Sequence, residues 1–348
     1  MNINEKLSSL SKNEFGKYHC NKNEMLDFLN FTGPFENRQQ IAIDIIEGIM
    51  TRHGKEHLLS HVVELARVEQ GIKELEPWVR DHVVHAVLSF ILGIFINERF
   101  LTPVMEVSVD SFQWKLSGLF HDVGYPIQIG QDIMKPFTDR VNQISENIGV
   151  KSEKVSFKIE PVGFDNLHNN VNSFHLIQNR LSEWEMGIDA MYEFKLMIKK
   201  SAICHGIMSS LAILYIIDQL YQKFNPKRKY KDIYKKYTKI NWNQNYFEND
   251  VVSAAAAIFI HNLPVDRFKE KKIDPQKIPL PFLLKLSDLL QDWQRPSDFN
   301  KQGFPPENYD IEIKNNNLYF KINNENNRKS NLEGEIRATL LSDNIKII

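Results

Sequence analysis

The chain is short of everything that would point it toward an oxidising compartment or a bilayer. Its 348 residues include two cysteines, Cys20 and Cys204, too few for a disulfide framework. The opening MNINEKLSSL lacks the apolar run of a secretory signal. The most apolar stretches, 87–96 and 207–217, are shorter than the roughly 20 residues needed to span a bilayer. A cytoplasmic protein with no membrane partner is therefore expected. Charge of one sign is lacking too. Lys and Arg number 43 against 44 Asp and Glu, a formal net charge of -1, so any pull toward nucleic acid has to come from local clustering. No Gly-rich phosphate loop, Cys-rich zinc module or Ser-His-Asp grouping is found.

What is there is ordinary globular composition, 42% hydrophobic and 25% charged, at a length that allows one elaborated domain or two. The first fifty residues hold two weak amphipathic segments, and apolar residues recur at helical spacing over 53–70 and 77–99. A further helix is predicted over 112–121, ended or kinked by Gly124, Tyr125 and Pro126. From 131 to 187 the pattern loosens around an Asn-rich centre at 165–172, which reads as an insertion, a lid or an interface element. Helical periodicity returns over 191–224, 250–261 and 281–293. The tail changes character, because YDIEIKNNNLYFKI at 309–322 alternates apolar and polar residues around an Asn-rich turn, a hairpin signal.

Ligand-type residues keep interrupting these apolar helices. His85 lies in DHVVHAVLSFILG, His121 and Asp122 in GLFHDVGYP, His205 in AICHGIMSSLAI, His261 in AAAIFIHNLP and Asp288 in LLKLSDLLQDW. One neutral histidine in a helix is satisfied by a single backbone partner, and His-Asp is a common dipeptide. Six such residues together would leave several buried polar groups unsatisfied unless something pairs them. A shared pair of metal ions resolves that cost, since a two-metal hydrolytic site needs imidazole and carboxylate ligands converging from several helices.

The order H, HD, H, H, D on successive helices resembles the HD-domain superfamily, mostly metal-dependent phosphomonoesterases and phosphodiesterases acting on nucleotides. The resemblance covers roughly 77–297, interrupted by the 131–187 insertion. It implies an all-α HD-domain helical bundle: an N-terminal helical extension over 1–76, a metal-binding core over 77–300 and a small β appendage, a hairpin, over 301–348. Carried over, His85 and His121 are ligands of the first ion, Asp122 bridges both, His205 and His261 hold the second, and Asp288 completes the first. His121 and Asp122 are then the catalytic pair. Mixed imidazole and carboxylate ligation fits Mn, Fe, Co, Ni or Zn. Two cations about 3.5–4 Å apart would lower the pKa of a bridging water and neutralise charge on the leaving oxygen.

The chain also departs from the pattern. Many relatives follow HD-Gly with a phosphate-contacting Lys, whereas Tyr125 follows Gly124 here. His82, three residues before His85, can share its helix face, so either could be the first ligand; His85 is preferred because the apolar residues after it fall where family helices place theirs. His82, Arg80 and Arg295 are candidate substrate contacts, and Gln291 is a further donor for a nucleotide. Arg295, two turns beyond Asp288, could share a helix face with it. His53, His57 and His61 recur every four residues and read as a solvated face. The basic, Tyr-containing stretch 223–239 (KFNPKRKYKDIYKKYTK) could hold a nucleic-acid backbone, although charge runs are usually solvated surface.

The expected activity is hydrolysis of a phosphate ester or anhydride in a nucleotide or cyclic (oligo)nucleotide, a small phosphate-containing partner. Two rivals stand beside it. One is a di-iron oxygenase, because the same ligand set resembles the inositol and phosphonate oxygenases of this superfamily. The other is a non-catalytic module in which the metal site stabilises the fold or senses a ligand.

Overall fold

Capping signals organise the start of the chain. Asn2 with Glu5, and Ser11 with Glu14, form reciprocal capping boxes that open helices α1 (Ile3–Ser8) and α2 (Lys12–Lys17). Asn21 caps α3 (Lys22–Leu29), and α4 runs over Phe35–Arg52. The first fifty residues thus carry four helices where periodicity indicated two segments. Six residues make less than two turns, too few for a periodic signal, so their boundaries lie in the caps. The structure, a computed structural model, describes residues 1–52, 62–64, 66–68, 70–71, 81–147, 172–200, 202–224, 247–295, 303–323, 326–341 and 343–348. Arg80, the histidines at 53, 57 and 61, most of the Asn-rich centre and the basic stretch from 225 onward lie outside these described residues.

The protein is predominantly helical, with a small three-stranded sheet near its carboxyl end. Its central helix is α5 (His82–Ile96), capped by Asp81, whose carboxylate accepts from the Val84 N–H at 3.0 Å. All its residues are buried, as expected of a helix that is apolar all round. The helical run His82–Val104 is by length and composition able to cross a membrane, but most of it is enclosed by the rest of the chain. Around it stand α6 (Ser111–Phe120), α7 (Tyr125–Asn147), α8 (Ser173–Glu183), α9 (Ala190–Lys200), α10 (His205–Phe224), α11 (Val252–His261) and α12 (Pro279–Leu290). Helix α5 packs on α6 and α12, while α11 packs on α6, α8, α10 and α12.

Two expectations change. The periodic stretch 191–224 is two helices, and the break before α10 makes His205 its first residue. The backbone N–H groups freed at the break are taken up by α7 side chains: Ile203 donates to Gln131 Oε1 at 3.2 Å and His205 to Gln128 Oε1 at 3.0 Å. Periodicity has no view of partners so distant in sequence. The 131–187 region, read as loose, is helical at both ends, through α7 to Asn147 and from Ser173 in α8.

The tail forms the expected hairpin, β1 (Tyr309–Lys314) antiparallel to β2 (Asn317–Ile322). Asn315 and Asn316 turn it at φ 50 and 59, the left-handed pair that a two-residue hairpin loop demands. Helix α13 (Asn326–Thr339) then leads to β3 (Ile345–Ile347), parallel to β2. The appendage is therefore a three-stranded sheet plus a helix, and a three-residue strand is too short to register as alternation.

The amino-terminal helices are stitched to the bundle by a buried amide. Asn97 accepts from the Val109 N–H at 3.0 Å and donates to the Tyr18 hydroxyl at 2.6 Å, which in turn donates to Glu98 Oε1 at 2.9 Å. Asn97→Ala leaves the Val109 donor unsatisfied and should cost about 1–3 kcal/mol of stability. Urea unfolding of the variant against the parent checks this.

Candidate metal centre

Six helix ends meet around one carboxylate. His121 follows the last residue of α6, with Asp122 in the turn behind it; His261 ends α11; Asp288 lies near the end of α12; His82 and His85 open α5; His205 opens α10. Close approach of these elements requires glycine at two positions. A Cβ on Gly124 would stand 2.5 Å from the Ser209 backbone N, and one on Gly206 would stand 2.9 Å from the Ile258 carbonyl and 3.0 Å from the His261 ring. The Gly124 N–H donates to Ser209 Oγ at 2.8 Å, which seats the His121-Asp122 turn on α10.

The two oxygens of Asp122 divide the imidazoles. Oδ2 lies 3.6 Å from His121 Nε2, 3.7 Å from His85 Nε2 and 3.8 Å from His82 Nε2, whereas Oδ1 lies 3.2 Å from His205 Nε2 and 3.7 Å from His261 Nε2. Asp288 Oδ1 sits 3.0 Å from His85 Nε2 and 3.9 Å from His121 Nε2. Two groups result, His85 with His121 and Asp122, and Asp122 with His205 and His261, each compact enough to hold a metal ion and sharing Asp122. His121, Asp122, His85 and His261 are buried; His205 and Asp288 are partly exposed, their side chains 15% and 16% accessible, and mark the open side.

The far nitrogens settle where the protons are. His121 Nδ1 donates to the Gly118 carbonyl at 3.1 Å and His261 Nδ1 to the Ile258 carbonyl at 2.6 Å, acceptors that have no proton to give. His205 Nδ1 donates at 2.8 Å to Gln128 Oε1, identified as the oxygen because it also accepts the His205 backbone N–H. His85 Nδ1 donates to Gln291 Oε1, whose amide nitrogen is committed to the Trp293 carbonyl at 2.8 Å. All four rings therefore present Nε2 lone pairs toward the carboxylates. His85 and His121 face each other, Nε2 to Nε2, at 3.3 Å, and neither has a proton to offer the other. Among the described residues, Asp122 Oδ1 and His261 Nε2 are buried without a hydrogen-bond partner. Converging lone pairs and carboxylates with no shared proton are the surroundings that cations complete, so the donor set fits metal ions.

Burial pushes the His121 and His205 imidazoles from 6.5 down to about 4, which keeps them neutral and ready to ligate. Burial acts to raise the Asp122 carboxyl, but the His121 and His205 rings beside it hold it well below the usual range. Asp288 is held low likewise, against burial, by the hydrogen bond from His85 and the neighbouring His121 and Arg295.

All six residues expected as ligands are thus brought together, with His82 beside them. His82 lies under Tyr125, ring centroids 3.3 Å apart and planes at 22°, so both first-ligand candidates reach Asp122. Arg295 does come near Asp288, its Nη2 4.0 Å from Oδ1, but not along a helix face: α12 ends at Leu290, and Gln294 at φ 56 turns the chain back. The supporting roles of Gln128 and Gln291 escaped sequence reasoning. Gln291 had a signal, its three-residue spacing from Asp288; Gln128 had none. No protein-family model matches the chain, and no curated protein or solved structure is significantly similar to it.

In the metal-free protein an unfolded imidazole protonates near 6.5 while His121 and His205 stay neutral to about 4. Between those values the unfolded state binds more protons, so stability that is full above 6.5 is lost as pH falls toward 4; the depressed carboxyls act in the same direction lower still. Urea midpoints of chelator-treated protein should decrease in order at about pH 7.5, 6 and 5. A flat profile would mean that these rings are not held neutral.

Proposed function

We propose that the chain is a metal-dependent phosphohydrolase of the HD-domain type, with two divalent transition-metal ions bridged by Asp122. The observation that carries the reading is the division of the Asp122 oxygens between two sets of imidazole nitrogens. In this assignment His85, His121 and Asp288 hold the first ion, His205 and His261 the second. When bound, such a pair supplies Lewis acidity and a water of lowered pKa at neutral pH.

The chain's own residues supply the rest. The two carboxylates bring less negative charge than two divalent ions bring positive, which leaves the centre attractive to an anion. Arg295 lies at the more open side, 14% accessible, and its Nε has no hydrogen-bond partner among the described residues. It suits a phosphoryl oxygen. Tyr125, packed between His82 and His205 with its centroid 5.8 Å from the latter, stands where many relatives of the HD type carry a phosphate-binding lysine. The task of holding the phosphate therefore passes to Arg295, in a nucleotide or cyclic (oligo)nucleotide whose identity the assay must find.

Purified protein should contain two equivalents of transition metal and release product from at least one member of a nucleotide panel. The double variant His121→Ala with Asp122→Ala should lose both equivalents and all turnover while keeping its helical circular dichroism. Unchanged metal content in that variant defeats the assignment. Iron-dependent oxygen uptake with no phosphate released would replace the hydrolase with an oxygenase.

A further inference from the structure

The loop that leaves α12 serves two masters residue by residue. Gln291 accepts from His85, and Arg295 approaches Asp288. The residues between them belong to the carboxyl-terminal appendage. The Asp292 carboxylate takes both guanidinium nitrogens of Arg328 and the Tyr309 hydroxyl, the latter at 3.2 Å. Trp293, fully buried, bridges to Phe304, and the Gln294 N–H donates to the Phe304 carbonyl at 2.7 Å. Gly303, at φ 71, lets this strand pass so close that a Cβ there would fall 2.3 Å from the Arg295 backbone N. Arg328 itself lies over the Phe304 ring, 4.8 Å from its centroid.

We infer that Asp292 is a positioning residue for the metal centre: clamped by Arg328 and Tyr309, it holds the 291–295 loop so that Gln291 orients His85 and Arg295 stands beside Asp288. This rests on the two-metal reading above. The physical reason is that Gln291 has left the helix, at φ -76 and ψ 89, so helical hydrogen bonding no longer fixes its side chain. Its direction is set by the turn, and the turn is set by Asp292. An outer partner of a ligating imidazole determines ring orientation and basicity, and its loss typically costs about 10–100-fold in metal affinity. The β appendage is then part of the centre although it contributes no ligand.

The test is calorimetric titration of the full-length, chelator-stripped protein with Mn(II), with Co(II) absorption as a second readout and thermal unfolding alongside. Asp292→Asn should weaken one of the two equivalents by about 10–100-fold and alter its Co(II) spectrum, while the other equivalent keeps its affinity. Arg328→Lys, which retains charge but loses the planar fork, should weaken the same equivalent by a smaller factor. It also serves if Asp292→Asn does not fold. Glu312→Gln, which breaks the Lys321 pair at 3.6 Å in the same sheet, should leave both affinities as in the parent. Parental affinities in Asp292→Asn, or in Arg328→Lys where Asp292→Asn does not fold, would overturn the inference even if the melting temperature drops, because a merely structural tie moves only the melt. A parent that binds no metal would instead defeat the two-metal reading itself.

Discussion

The Asp122 carboxylate, buried among imidazole nitrogens that all offer lone pairs, is the constraint on which the rest of the molecule turns. An isolated buried anion is costly. The chain meets that cost by bringing helix ends to it from every side, and three of them, those of α6, α11 and α12, are carboxyl ends, whose partial negative charge favours a cation. The amino ends of α5 and α10 oppose this. What tips the balance is the protonation pattern, with each ring's proton committed outward to a carbonyl or amide oxygen.

Neutral amides hold the two rings that backbone carbonyls do not. Gln128 and Gln291 accept from His205 and His85 without adding negative charge, whereas carboxylates in their place would offset the ions a second time. In the proposed hydrolase this difference preserves an electropositive centre for a phosphate. It also explains why the supporting structure is extensive. An amide must be aimed, and here one is aimed by α7 and the other by a loop tied to the appendage.

Much of the centre was legible in the residue order. The interruption of apolar helices by His85, His121, Asp122, His205, His261 and Asp288 marked out the six that converge, and the HD pair fell at a helix terminus as Gly124 and Pro126 indicated. The alternation around Asn315 and Asn316 marked the hairpin. Less legible were features made by distant partners. The break before His205 depends on Gln128 and Gln131, and the approach of Arg295 to Asp288 depends on the left-handed Gln294 and on the glycine at 303.

By itself the sequence determined the helical class, the tail hairpin and the set of ligand-type side chains, because these follow from local periodicity, turn chemistry and the misfit of polar groups in apolar helices. Only the tertiary structure decided which oxygen of Asp122 faces which histidine, where each imidazole proton resides, and that the β appendage reaches the centre through Asp292. Those are properties of atoms whose neighbours come from other parts of the chain, and no local pattern encodes a hydrogen-bond partner two hundred residues away.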